Sequence, residues 1–231
     1  MLADWLDQVK KDASAIYFLG DMFDHWFEYK NVIPRGYSDF IGKLAELRRL
    51  KIPVYFFTGN HDMWMFGFFE KDLGIPVIRK PLFLNLGSKN FYLNHGDGLA
   101  NGAWADRLIK TVFANKFLQW CFARLHPNFA IGIMKYFSGR SRIANAYKDN
   151  QFDLEKEHMI DFANGLLDQN PNLDYVIMGH RHLPIDMVLS NGKTRYVNLG
   201  DWVNYFSYAV FDGEDLKINF FKDEYPVYPV S

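Results

Sequence analysis

Ala15-Ile16-Tyr17-Phe18-Leu19-Gly20-Asp21-Met22-Phe23-Asp24 carries a short apolar run straight into a glycine and two carboxylates. A continuous run of β-branched and aromatic residues reads as a strand buried on both faces. The same passage recurs three times. Pro53–Phe57 precedes Gly59-Asn60-His61-Asp62, Phe91-Tyr92-Leu93 precedes Asn94-His95-Gly96-Asp97, and residues 173–178 precede Gly179-His180-Arg181-His182. Polar groups at the ends of hydrophobic strands are how an open α/β sheet builds an active site.

Outward from these blocks, the first residues predict a helix, with Leu2, Trp5, Leu6 and Val9 on one side and Asp4, Asp7, Lys10 and Lys11 on the other. A second helix is expected over Asp39–Leu50, with Phe40, Leu44, Leu47 and Leu50 as its inner face. Residues 76–94 read as two strands joined by a turn at Gly87-Ser88-Lys89-Asn90. From Thr194 onward strand-like runs alternate with turns at Asn198–Asp201 and Asp212–Asp215. Strands alternating with helices, then mostly strands, give an α/β class and a layered sandwich.

Residues 99–148 differ from the rest. They hold Trp104, Phe113, Phe117, Trp120, Phe122, Phe129, Tyr136 and Phe137 beside Arg107, Lys110, Lys116, Arg124, Lys135, Arg140, Arg142 and Lys148, with Asp106 as the only carboxylate. We read this segment as a helical insertion, leaving 1–98 and 149–231 as the core.

The chain of 231 residues is long enough for one sizeable core, and 49% apolar residues argue against disorder. A net charge of −1 implies no nucleic-acid partner. The single cysteine, Cys121, cannot form an internal disulfide. No apolar run reaches transmembrane length and no signal peptide is visible, so a cytoplasmic protein with room for peripheral membrane contact is expected.

Asp, Asn and His without Cys is the ligand set of a hydrolytic metal centre. Asp21 is a natural bridge between two ions, Asn60 supplies a carbonyl oxygen, and His95, His180 and His182 supply imidazoles. In an extended segment residues two apart point the same way, so His180 and His182 are expected to face one cluster while Arg181 faces away. Taken singly, each residue has a plainer reading. A His before Gly is usually a turn residue, an Asp after a strand is often a helix cap, and Asn60 and Asp201 suit turns. Their joint recurrence at strand ends favours the metal site.

Gly-Asp-x-x-Asp, Gly-Asn-His-Asp, His-Gly-Asp and Gly-His-x-His, in this order, resemble the calcineurin-like metallophosphoesterase superfamily over almost the whole chain. The resemblance implies a four-layer α/β/β/α sandwich and two divalent ions. Asp21 would bridge them, Asn60, His95 and His180 would complete one site, and His182 would serve the other. His61 would contact phosphate and act as general acid, with Asp24 orienting it.

Within the superfamily, Gly20-Asp21-Met22-Phe23-Asp24 followed by Trp26, the basic aromatic insertion, and Ser141-Arg142-Ile143-Ala144-Asn145-Ala146-Tyr147-Lys148 are most similar to the UDP-2,3-diacylglucosamine pyrophosphatases of lipid A biosynthesis. That resemblance implies cleavage to 2,3-diacylglucosamine 1-phosphate (lipid X) and UMP with Mn2+. Asn60, His61, Ser141, Asn145, Lys148 and His180 would line the substrate site. The insertion would be a lid that buries acyl chains, pairs with phosphates and rests on the inner membrane. Another diphosphate, a nucleotide or a phospholipid is the alternative substrate.

Three features depart from that family. Its best-known members carry Arg where His61 stands here, and Ala103 occupies a carboxylate position. The superfamily also opens with a strand ending in Asp-x-His, and nothing upstream of Asp21 supplies one: the first histidine is His25. The expectation is an incomplete N-terminus with the first strand missing. One metal site would keep only Asp21 and His182, and the alternative to an active hydrolase is an inactive metal- or phosphate-binding fragment.

Overall fold

The computed structural model describes residues 1–99, 108, 111–146, 153 and 157–229. The chain divides into two units, Met1–Lys80 with Asn115–Arg140 and Pro81–Ala114 with Ser141–Ser231.

In the first unit the apolar runs form a parallel sheet of β1 (Ile16–Phe18), β2 (Val54–Phe57) and β3 (Val77–Ile78), in that order. Phe18 lies opposite Phe56, and Phe56 opposite Val77. Helix α1 (Leu2–Val9) buries Trp5 and Leu6, and α2 (Ser38–Arg49) buries Phe40, Leu44 and Leu47. These fall three or four apart, so one stripe of each helix is apolar. Leu50, expected on that stripe, is exposed. It follows the last helical residue, and Lys51 at φ 61 turns the chain away towards β2. On the outer side Lys10 and Lys43 pair with Asp7 and Glu46, tying α1 to α2 at 2.6 Å (Lys10–Glu46) and 2.7 Å (Lys43–Asp7).

Aromatic rings fill the space beside the sheet. Phe23 lies 4.3 Å from Trp26, Phe56 4.9 Å from Phe69, and Trp26 5.4 Å from Phe69, centroid to centroid. Full burial of each such ring contributes about 1.5–3 kcal/mol. Glu28 fixes the loop around them. Its Oε2 accepts from the backbone N–H groups of Phe66 (2.5 Å), Gly67 (2.6 Å) and Phe68 (3.1 Å), and its Oε1 from Trp26 Nε1 (3.1 Å).

The described part of the 99–148 segment is largely helical. Helix α3 (Lys116–Phe122) is capped by Asn115, whose side chain accepts from the backbone N–H groups of Phe117 and Leu118. Its Phe122 packs on Phe27 and Trp64 at 4.9 and 5.0 Å. Helix α4 spans Pro127–Ala146.

The second unit holds a five-stranded sheet. Its order is β4 (Leu82–Leu86), β5 (Lys89–Asn94), β6 (Tyr175–Met178), β8 (Arg195–Leu199) and β7 (Pro184–Val188). The middle pairings β5–β6 and β6–β8 are parallel and the outer ones antiparallel. Strand β6 is buried at all four positions, as its apolar run requires. Helix α5 (His158–Leu167) packs Met159, Ile160, Ala163 and Leu167 into a core with Val176, Met178, Leu183, Ile185 and Tyr196. A hairpin of β9 (Ser207–Phe211) and β10 (Leu216–Phe220) follows.

Residues 76–94 are therefore three strands rather than two. Val77–Ile78 joins the first sheet, and the tight turn at Gly87 (φ 57) links β4 to β5. The α/β class read from the sequence is what forms.

Candidate metal centre

In the first unit β1 ends just before Gly20 and Asp21. Asp21 sits at φ 53, a left-handed conformation that costs a residue with a side chain roughly 1–3 kcal/mol and persists only where its surroundings hold it. Asp62, wholly buried, does much of the holding. Its Oδ1 accepts from Gly59 N (2.7 Å) and its Oδ2 from Met22 N (2.9 Å), which staples the Asp21 loop to the Asn60–His61 loop. Asp21 Oδ1 in turn accepts from His61 N at 2.8 Å. Gly59 is needed at its position, because a Cβ there would lie 2.2 Å from Asp21 Oδ1.

His61 Nδ1 lies 3.0 Å from the backbone carbonyl oxygen of Asp24 and 3.5 Å from Ser138 Oγ on α4. A carbonyl oxygen can only accept, so Nδ1 carries hydrogen and Nε2 is left for chemistry. This contact between Asp24 and His61 thus runs through the main chain. Ser138 carried no signal in the sequence. His25, given no role there, is buried, and its Nδ1 has no hydrogen-bond partner among the described residues. Burial first, then the charges of Lys135 and His61, hold its pKa below the ordinary value, so it stays neutral.

In the second unit His95 follows β5 and is buried, and His180 follows β6. Their rings meet edge to face, 5.1 Å between centroids. Gly179 N donates to the His95 carbonyl (3.0 Å), and Asn198 Nδ2 donates to the Gly179 carbonyl (2.6 Å). Residues 179–182 are not extended. His180 stands at φ 64 at the apex of a three-residue turn closed by Arg181 N donating to Gly179 O at 2.7 Å. Alternation along a strand therefore does not explain where Arg181 goes. Its guanidinium is seated on Glu157, with Nε 3.0 and 3.2 Å from the two carboxylate oxygens.

His182 Nδ1 lies 3.4 Å from Asp201 Oδ2. Asp201 is a turn residue, as expected, and also the partner of His182. Its Oδ1 accepts from the N–H groups of Val203, Asn204 and Tyr205 at 3.1, 2.6 and 3.1 Å. Burial raises its pKa, but the bonds to His182, Asn204 and Tyr205 outweigh this and hold the carboxyl below its ordinary value. An ionised Asp201 facing Nδ1 leaves His182 Nε2 as the outward atom.

These residues suit divalent ions. The first unit offers a carboxylate and a carboxamide and the second three imidazoles, all nitrogen and oxygen donors of the kind such ions take. Two imidazoles held 5.1 Å apart, one of them buried, would repel each other if both were protonated. Neutral nitrogens facing a cation remove that conflict. The carboxylate behind His182 is the outer support that ligating histidines commonly have. Of the remaining substrate candidates, Ser141 and Asn145 fall in α4, and Lys148 lies outside the described residues.

The chain belongs to the calcineurin-like phosphoesterases, whose family model matches residues 1–184. It is thus a hydrolase of a family that works with divalent metal ions. The curated relatives bear a more particular name. A UDP-2,3-diacylglucosamine hydrolase from Porphyromonas gingivalis is 39% identical over 96% of this chain and 89% of its own length. Another from Shewanella putrefaciens is 30% identical over 86% of this chain and 79% of its own. Among solved structures, Vps29 from Entamoeba histolytica complexed with zinc is similar at a TM-score of 0.41 and 15% identity, covering 93% of this chain and 79% of that one. So loose a likeness adds nothing to the argument.

Proposed function

We propose that this chain hydrolyses the diphosphate of UDP-2,3-diacylglucosamine to 2,3-diacylglucosamine 1-phosphate and UMP, in lipid A biosynthesis. The observation that carries this reading is the 39% identity to a hydrolase of that name along 96% of the chain. Asp21, Asn60, His95, His180 and His182 hold the metal ions, Mn2+ being the first to try. When bound, such ions supply Lewis-acid neutralisation of charge on the phosphoryl oxygens.

The chain's own residues do the rest. Asp21, fixed by the His61 amide, presents its carboxylate from a loop that Asp62 locks. Asn60 offers its carboxamide oxygen beside it. With Nδ1–H engaged by Asp24 O, His61 directs Nε2 at the diphosphate and, when Nε2 also carries a proton, passes that proton to the departing phosphate oxygen and returns to the neutral Nδ1–H form. Ser141, Asn145 and Lys148 bind the glucosamine diphosphate portion.

Helices α3 and α4 form the lid and meet the acyl chains at the surface of the inner membrane. Phe117, Trp120, Phe129 and Tyr136 are 68, 53, 62 and 59% exposed, and Arg124 lies over the Trp120 ring at 4.3 Å. Exposed aromatics interleaved with cations suit an anionic lipid interface. No helix among the described residues is long and apolar enough to cross a membrane.

The test is UMP release from UDP-2,3-diacylglucosamine with and without Mn2+, followed by 31P NMR. Metal-dependent release of UMP is expected. Ready cleavage of simple phosphodiesters with no turnover of the lipid substrate would contradict the assignment.

A further inference from the structure

The geometry points to the Glu157–Arg181 ion pair as a positioning device for His180, and through it for the imidazole pair that His180 forms with His95. The inference rests on the metal-centre reading above. Arg181 stands between two proposed ligands, His180 and His182, so whatever fixes Arg181 fixes the turn that presents them.

That turn needs fixing. Among the described residues, four without glycine's freedom have positive φ: Asp21, Lys51, His180 and Phe206. At His180 the strained conformation is closed by a backbone bond, Arg181 N to Gly179 O at 2.7 Å. A turn of that kind is held open or shut by what its flanking side chains grip.

Arg181 grips Glu157 through Nε and Nη2. Nε reaches Oε1 at 3.0 Å and Oε2 at 3.2 Å, and Nη2 reaches Oε1 at 2.9 Å. The Glu157 side chain is 7% exposed and that of Arg181 15%, so this is no solvated surface pair. The planar fork sets orientation as well as distance.

Glu157 is also the residue at the start of α5. Two residues on, Met159 presses its methyl group against Gly96, where an added Cβ would lie 2.5 Å away. Gly96 adjoins His95. The first turn of α5 therefore braces both histidine loops, one through an ion pair and the other through a methyl contact. A buried ion pair adds little net stability compared with apolar groups of the same size. Orienting a neighbouring ligand is the role that gives this one a purpose.

The experiment compares the full chain with the double variant Glu157→Met/Arg181→Met and with Arg181→Lys. Three properties are measured: Mn2+ affinity by calorimetry, urea unfolding in EDTA, and the imidazole 1H–15N spectrum without metal. The double variant is expected to unfold at the wild-type urea concentration. It should nevertheless bind Mn2+ roughly 10–100-fold more weakly, the usual effect of removing an outer support, and its His180 and His95 signals should shift. Arg181→Lys keeps the charge but not the fork, and should fall between the two.

Mn2+ binding as tight as wild type in the double variant, with unmoved imidazole signals, overturns the proposal. If the double variant does not fold, Arg181→Lys decides by the same two readouts. Wild-type protein that binds no divalent ion refutes the metal-centre reading instead, and the imidazole spectra still report on the pair.

Discussion

Gly59→Ala should disable the metal centre while leaving the rest of the first unit folded. The added Cβ would lie 2.2 Å from Asp21 Oδ1, 2.6 Å from its Cγ and 2.7 Å from its backbone N. Ordinary contact begins at 3.4 Å, so the carboxylate must retreat by about 1.2 Å. It cannot do so freely. Asp21 Oδ1 is bonded to the His61 amide, and Gly59 and Met22 are both bonded to Asp62. Overpacking of this kind costs about 1–3 kcal/mol of stability. A displacement of about 1 Å at a reacting centre typically lowers turnover on the order of 100-fold. Urea unfolding measures the first quantity, and calorimetric Mn2+ binding with UMP release measures the second. A variant that loses stability yet keeps wild-type Mn2+ affinity and turnover would refute the placement of Asp21 at the centre.

Further outcomes follow from other contacts. Glu28→Gln turns an acceptor of three backbone N–H groups, or that of the Trp26 indole, into a donor. It should lower stability by about 1–3 kcal/mol, read from urea unfolding. His25 has a folded pKa below its ordinary 6.5, so its contribution to stability is fully present above that value and is lost as pH falls through the lower folded one. Unfolding free energy should therefore decline as pH falls below about 6.5, and His25→Gln should flatten the slope. Trp120→Ser with Phe129→Ser removes two exposed rings, each able to contribute about 1.5–3 kcal/mol when buried. Co-sedimentation with anionic vesicles should fall by tenfold or more while turnover of a soluble phosphodiester stays unchanged.

What the sequence made legible were features written in neighbouring residues. Strands β1, β2 and β6 are unbroken apolar runs, and the stripes of α1 and α2 recur at helical spacing. The polar blocks stand out because three of the four follow directly on such a run. Strand β7 was missed. It opens on Pro184, lies at the sheet edge and carries Asp186 in its middle, so its pattern is that of an edge strand. Leu50 was misplaced because periodicity does not announce where a helix stops.

Around the site, the ligand candidates were visible but their supports were not. Ser138 meets His61 from 77 residues away, and Arg181 meets Glu157 from 24. Glu28 gathers three amides nearly 40 residues on. Such pairings depend on which loops the sheets bring together. No local pattern encodes them. The strained φ of Asp21 and His180 was equally invisible, because even the enriched types Asp and His take a left-handed backbone at only a small minority of positions.

The central claim is that Asp21, Asn60, His95 and His180 hold an ion in common, with His182 serving a second. Anomalous diffraction from a crystal soaked in Mn2+ tests it directly. The account predicts a manganese peak bonded to those four side chains. A soaked crystal with no peak there, or with manganese only on other carboxylates, would contradict it.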